Sequence, residues 1–437
     1  MAMEAAMEQR KLQVAPDRRS LQWSDGKPFF WLGDTCWSCP GRARWEEWEL
    51  YTQRRAQQGF TVLQLNSLPQ YDSVHPGWET RFPFPLKPNG LWDFARPQTE
   101  YFAFLRRMIE RADANGLVSA VVVLWFNYVP HARIWTVPDP RSDMSLAEGC
   151  NYAAYLADLL KGLQVVWVLT GDDTYLGEGV PEYTRALGAH LRKSDRDSRL
   201  ITVHPARIAG PWFHSERWLD VTMVQSSHFD ATQSGAYELV QEEWKRDPPR
   251  PIVNGEICYE EHPGFDFGHR FDRSDVRKAF WWTVLSGALG GVTYGADGLW
   301  PWIREGDTLR GREPESFSTW RQSLDLPGAA DLARAKEMLV EIGWQRLRPA
   351  PQRLLETPAR HVPVAASPDG SLLLAYFPRM PQTWGYIELE TSGLAAEARA
   401  SWWHPETGGT EPLGPIRSGR MTFRAPEGKD SLLVIRA

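Results

Sequence analysis

Two acidic groups in this chain each follow a short apolar run. Val165-Val166-Trp167-Val168-Leu169 leads into Thr170-Gly171-Asp172-Asp173, and Pro251-Ile252-Val253-Asn254 leads into Gly255-Glu256-Ile257-Cys258-Tyr259-Glu260. A β-branched and aromatic run with no polar alternation reads as a strand buried on both faces. Carboxylates delivered from the ends of two such strands can divide the work of bond cleavage. One protonates a leaving oxygen, and the other attacks carbon or activates water. Asp172 and Glu256 are the candidates for these roles, with Asp173 the rival of Asp172, and Glu260 and Glu261 the rivals of Glu256. Glu256 is preferred because it lies at the strand end itself.

Carboxylates 84 residues apart meet only if the fold brings them together. Eight strand-like runs recur, at Phe29-Leu32, Thr61-Asn66, Ser119-Phe126, Val165-Leu169, Leu200-Val203, Val221-Gln225, Pro251-Asn254 and Gly291-Tyr294. Segments of helical spacing lie between them, among them Trp45 to Ala56, Tyr101 to Ala114 and Asp275 to Gly287. Repeated strand–helix units over this length predict a TIM (β/α)8 barrel, whose functional side chains stand at the C-terminal ends of its strands. Polar or aromatic groups do follow every predicted strand. They are Asp34 and Trp37, Asn66, Trp125 and Asn127, His204, Gln225 and His228, Tyr259, and Tyr294 with Trp300. Amides, imidazoles and carboxylates beside stacking rings suit a carbohydrate. Sequence alone leaves His204 and His228 open between substrate contact and a structural hydrogen bond.

After a break at Leu324–Gly328, a helix is expected over Ala329 to Ile342. Short alternating runs then predict a small β-sandwich. The division expected is an extension over 1–20, a catalytic barrel over 21–348 and a sandwich over 349–437. The sandwich is expected to brace the barrel.

Composition narrows the function further. The chain has 437 residues, 42% hydrophobic and 24% charged, with a net charge of −6. No long charge run accompanies that balance, which argues against a nucleic-acid or anionic-membrane partner. No run is long enough to span a bilayer. Met1–Ser20 lacks the apolar segment of a secretory signal. The sequence as it stands therefore reads as soluble and cytoplasmic, or secreted or periplasmic if a signal was removed. Trp is abundant, at 22 residues. The 4 cysteines, Cys36, Cys39, Cys150 and Cys258, include one C-x-x-C but no second pair at metal-ligand spacing. Neither a metal site nor a cofactor is expected. A monomer or small homo-oligomer acting on carbohydrate is the expected state.

These same residues resemble a known family, the apiosidase-type glycoside hydrolases of glycoside hydrolase family 140. Asp25-Gly26-Lys27-Pro28-Phe29-Phe30-Trp31-Leu32-Gly33-Asp34-Thr35-Cys36-Trp37 is similar to the family's entry into the first strand. Val166-Trp167-Val168-Leu169-Thr170-Gly171-Asp172 resembles its fourth strand. Trp218-Leu219-Asp220 with Gln225-Ser226-Ser227-His228, and Asn254-Gly255-Glu256-Ile257-Cys258-Tyr259-Glu260, resemble the sixth and seventh. Ser286-Gly287-Ala288 through Thr293-Tyr294-Gly295 to Trp300 resembles the eighth, and Trp402-Trp403-His404-Pro405 with Thr407-Gly408-Gly409 marks the final domain. The resemblance implies a retaining exo-enzyme that removes terminal β-linked apiofuranose from plant glycosides or pectic side chains, with Asp172 as acid/base and Glu256 as nucleophile. One departure stands out. The family's fourth strand usually reads Gly-Gly-Asp followed by a basic residue, whereas here Thr170 replaces the first glycine and Asp173 the base. An acidic neighbour would raise the pKa of Asp172. The alternatives are a glycosidase for another furanoside, such as arabinofuranose, or for a pyranoside, and a binding barrel that has lost catalysis.

Overall fold

The computed structural model describes residues 10–71, 74–75, 77–132, 142–229, 232–264, 268–308, 317–380 and 385–437. Its centre is a barrel of eight parallel strands. These are β1 (Trp31–Thr35), β2 (Val62–Asn66), β3 (Val118–Trp125), β4 (Val165–Asp173), β5 (Ile201–Pro205), β6 (Thr222–Gln225), β7 (Ile252–Glu256) and β8 (Gly291–Tyr294). They are hydrogen-bonded in the order β5-β4-β3-β2-β1-β8-β7-β6. Asp220 and Val221, just before β6, donate backbone N–H bonds to Ile201 of β5 and nearly close the ring. Nearly all strand residues are buried, as the unbroken apolar runs require.

Helices cover the outside: α1 (Trp45–Gln57), α2 (Thr99–Ala114), α3 (Leu146–Leu159), α4 (Val180–Ser194), α5 (Gly235–Trp244), α6 (Arg273–Leu285) and α7 (Pro327–Ile342). Local chemistry sets their ends. Ser145 and Glu148 form a capping box on α3, and Asp272 accepts from Ser274 and Asp275 at the start of α6. Gly343 ends α7 at φ 72°, a left-handed conformation that costs glycine little. Only the short helix Gly210–Phe213 lies between β5 and β6. Leu12–Val14, in the expected N-terminal extension, is a strand of a small antiparallel sheet with Leu21–Trp23 and Pro28–Phe29.

The C-terminal part consists of antiparallel sheets. One has six strands, with Leu372–Phe377 and Ser431–Arg436 at its centre. The other has three, Leu354–Glu356, Tyr386–Glu390 and Arg420–Arg424. Alternation along the central strand splits its side chains between two cores. Leu373, Ala375 and Phe377 face the sandwich interior with Ile387, Trp402 and Phe423, while Leu372, Leu374 and Tyr376 join the core of the barrel. Trp281 of α6 packs edge-on against Trp403 (5.7 Å) and stacks with Tyr376 (6.2 Å). Arg277 of α6 donates to both carboxylate oxygens of Asp430 (2.9 and 2.8 Å) and to Asp331 of α7 (2.7 Å). The sandwich is thereby fastened to the barrel by apolar area and a buried charge network. Among the described residues no helix is long and apolar enough to cross a membrane.

Candidate active site

A hydrogen-bond chain across the barrel interior shows which strand residues point inward. Trp31 Nε1 donates to Thr293 Oγ1 (3.0 Å), Thr293 to Gln64 Oε1 (3.0 Å), and Gln64 Nε2 to the Gly255 carbonyl (2.8 Å). Side chains alternate along a strand, so Leu32 and Asp34 of β1 and Tyr294 of β8 point outward. Asp34 and Tyr294, expected at the sugar site, are therefore structural. Asp34 is fully buried against α1, where it accepts from Arg55 Nε (2.6 Å) and Tyr51 Oη (2.6 Å). Tyr294 donates to Glu260 Oε2 (2.7 Å). Glu260, the rival of Glu256, also accepts from the Gly328 amide at the start of α7 (3.1 and 3.0 Å). Burial pushes its carboxyl up to about 7, against those hydrogen bonds.

Glu256 lies on a different side of the strand from its own spacing. Asn254 points outward to Thr283 of α6, and Gly255 points inward, so simple alternation would send Glu256 outward. The β7–β6 register shifts between Asn254 and Glu256, and this irregularity turns the carboxylate into the mouth. There His204 Nε2 of β5 lies 3.3 Å from Oε2, and His228 Nδ1 lies 4.0 Å from Oε1. Tyr259 faces the same carboxylate, and its hydroxyl accepts from Trp37 Nε1 (3.0 Å). Burial first, then the Glu256 charge, holds the phenol well above its usual pKa, so it stays a donor. His228 lies over His262 with ring centroids 3.9 Å apart. Burial and that second imidazole hold His228 well below its usual value, and it is neutral. Trp37 lies against Trp125 (5.2 Å) and His204 (5.1 Å), and Trp125 stacks on His204 (5.9 Å). The result is an aromatic wall beside a carboxylate.

Asp172 is reached from that wall. Gly171 pairs with Trp125 of β3 and with His204 of β5, and β4 carries register irregularities on both sides of it. Asp172 follows in the left-handed region at φ 57° and is half-buried. Asp173 is buried, and its Oδ1 accepts from the Tyr175 amide (2.8 Å). The other expected residues surround this group. The Asn66 backbone N–H donates to the Trp37 carbonyl (3.1 Å), and the Trp300 carbonyl accepts from the Ser38 backbone N–H (3.1 Å). Gln225 is paired in register with Glu256, and Asn127 sits in the single turn after β3. Asn66 Oδ1, Asn127 Oδ1, Gln225 Oε1, Trp125 Nε1 and Trp300 Nε1 are buried polar atoms with no protein partner. Buried polar atoms of this kind call for water or a ligand as partner.

Sequence reading missed three contributors. Alternation from Asn66 would have turned Gln64 inward. His262 follows Glu256 in the same loop, where the acidic residues carry the stronger signal. Met223, whose Sδ lies 3.3 Å from His204 Nδ1, is an apolar residue in an apolar run and carries no signal. Both thiols of the C-x-x-C are buried and free, and burial first, then Cys36, holds Cys39 well above its usual pKa. No group of His, Cys, Asp or Glu suited to a metal occurs among the described residues.

Glycine is required where β4 meets the wall. A Cβ at Gly171 would lie 2.1 Å from the Trp125 ring. Gly171→Ala should displace that indole, cost about 1–3 kcal/mol through overpacking, and lower kcat/KM by roughly tenfold through the wall it shares with His204. Thermal unfolding together with steady-state kinetics checks both effects, and unchanged values in both would refute the close approach.

A sequence model described as the apiosidase-like catalytic domain matches residues 15–346. The chain belongs to the apiosidase-like family. Family membership makes it a glycoside hydrolase and gives the wall and carboxylates of this apiosidase-like barrel a chemical context. Its fold is shared with a solved glycoside hydrolase at TM-score 0.82 and 22% identity, over 98% of this chain and 96% of that one. A glycoside hydrolase family 5 structure from Bacteroides vulgatus ATCC 8482 aligns at TM-score 0.82 and 22% identity, over 98% and 93%. More distantly, a GH27 β-L-arabinopyranosidase from Geobacillus stearothermophilus aligns at TM-score 0.54 and 11% identity, over 93% and 97%. The first two alignments extend over the barrel and the C-terminal sheets alike. A comparison with curated protein sequences finds no match.

Proposed function

We propose that the enzyme is a retaining exo-glycosidase that releases terminal β-linked apiofuranose from plant glycosides or pectic side chains. The observation that carries this reading is the setting of Glu256. It stands at the end of β7, turned inward, with His204, His228 and Tyr259 around it and the Trp37–Trp125 wall alongside. Tyr259 faces that carboxylate with a hydroxyl that stays protonated, and a donor so placed helps to aim a nucleophile. In the proposed cycle Glu256 attacks the anomeric carbon as the bond to the leaving oxygen breaks, and Asp172 gives its proton to that oxygen. Asp172 then takes a proton from water, which displaces Glu256. Family membership supports apiose as the sugar.

The test is hydrolysis of aryl β-apioside, α-arabinofuranoside, β-glucoside and β-galactoside by wild type, Asp172→Asn and Glu256→Gln. Release from the apioside alone, lost in both variants, is the expected result. Cleavage of a different glycoside would overturn the apiose assignment and keep the mechanism. Wild-type rates in Glu256→Gln would overturn the mechanism.

A further inference from the structure

Nothing in the cycle above uses Asp173. Its carboxylate is fully buried beside a half-buried Asp172. Oδ1 accepts from the Tyr175 amide (2.8 Å), and Oδ2 has no hydrogen-bond partner. The turn it closes holds two non-glycine residues in the left-handed region, Asp172 at φ 57° and Tyr175 at φ 59°. Each is a conformation that persists only when its surroundings enforce it. Tyr175 is anchored in turn, with its hydroxyl 3.1 Å from Thr170 Oγ1 and its ring edge-on to Phe213 at 4.7 Å. Thr170, Asp173 and Tyr175 thus form a brace on both sides of Asp172.

We propose that Asp173 is a positioning residue for the reaction: its side chain locks the turn that presents Asp172, and its negative charge favours the protonated, donor form of Asp172. The proposal rests on the reading of Asp172 as acid/base. Burial first, and Asp172 as a neighbouring charge, push the Asp173 carboxyl up to about 6, against the hydrogen bond from Tyr175. The repulsion is mutual, so a charge on either carboxyl opposes ionisation of the other. Among the described residues, ionisable groups near this turn include Tyr175 on the turn itself, His204 on β5 opposite Gly171, and Glu256 beyond His204 on β7. On the β3 side stands Trp125, which does not ionise.

Two substitutions separate shape from charge. Asp173→Asn keeps an Oδ1 acceptor and removes the charge, whereas Asp173→Ala removes both. Asp173→Asn should move the basic limb of the kcat/KM profile down by about one pH unit, the size of a near like-charge effect. Asp173→Ala should add a loss in kcat of about 10²-fold, with KM little changed, from a misplaced proton donor. An unmoved basic limb in Asp173→Asn, or wild-type kcat in Asp173→Ala, would overturn the proposal. A carboxyl-13C aspartate titration reads the Asp172 midpoint without any substrate, with Asp172→Asn assigning its resonance. A lower midpoint in Asp173→Asn is expected, and an equal one refutes the charge effect. Normal hydrolysis by Asp172→Asn would instead defeat the acid/base reading, so the two failures are distinguishable.

Discussion

Glu256→Gln should lower kcat by on the order of 10⁴-fold or more while leaving folding intact. The substitution preserves size and one oxygen acceptor, so Tyr259 can still donate. What it removes is the anion that attacks carbon, and no neighbour can substitute. His204 and His228 lie 3.3 and 4.0 Å from the carboxylate but offer no carboxylate in its place. Glu260, the nearest carboxylate in sequence, is held by Tyr294 and the start of α7. Circular dichroism and thermal unfolding should match wild type, because a buried charge near two imidazoles is replaced by a neutral isostere. Loss of activity with loss of fold would not satisfy this expectation. Added azide gives a sharper readout on Glu256→Ala: turnover should return with a glycosyl azide of inverted configuration, since the anion then replaces the missing carboxylate in a single displacement.

Arg55→Ala should destabilise the protein by about 3–5 kcal/mol, the cost of leaving a buried charge without its partner. Arg55 and Asp34 are both fully buried, with Nε 2.6 Å from Oδ2. The guanidinium also donates to the Leu324 carbonyl (2.9 Å) and to Gln58 (2.6 Å), and so ties α1 to the segment that enters α7. Burial alone would depress the Arg55 pKa; the Asp34 carboxylate beside it reverses this and holds Arg55 above its usual value. Removing Arg55 therefore strands Asp34 as well as opening a cavity. The double variant Asp34→Asn/Arg55→Met should recover much of the loss, because neither charge remains to be compensated. Denaturant unfolding of both single variants and the double variant measures the coupling. Additive effects would refute the ion-pair argument.

The same pair shows where a linear reading loses information. Sequence puts Asp34 just past its first strand run and Tyr294 at the end of its eighth, and so both at the sugar site. In a barrel the last residue of a strand faces inward or outward according to parity, and parity depends on a register that one strand does not contain. The hydrogen-bond chain from Trp31 through Thr293 and Gln64 to Gly255 settles it and puts Asp34 and Tyr294 on the outer face. His204 and Trp125 stand at the ends of β5 and β3 and do face the mouth. His262 and Met223 join them through contacts between strands far apart in sequence.

By itself the sequence determined the strands, through apolar runs that only a doubly buried position tolerates. It also determined that acidic groups follow the fourth and seventh, and that a β domain follows the barrel. Pairs of candidates one or four residues apart, Asp172 with Asp173 and Glu256 with Glu260, carry no local signal that separates them. Tertiary structure places them differently. A shift in register at Asn254–Glu256 turns one glutamate into the mouth, and the start of α7 captures the other. A left-handed residue at position 172 leaves one aspartate half-exposed, and the Tyr175 amide holds the second inside. Which carboxylate meets substrate is set by strand pairing and helix docking, and both are properties of segments that meet only in the folded chain.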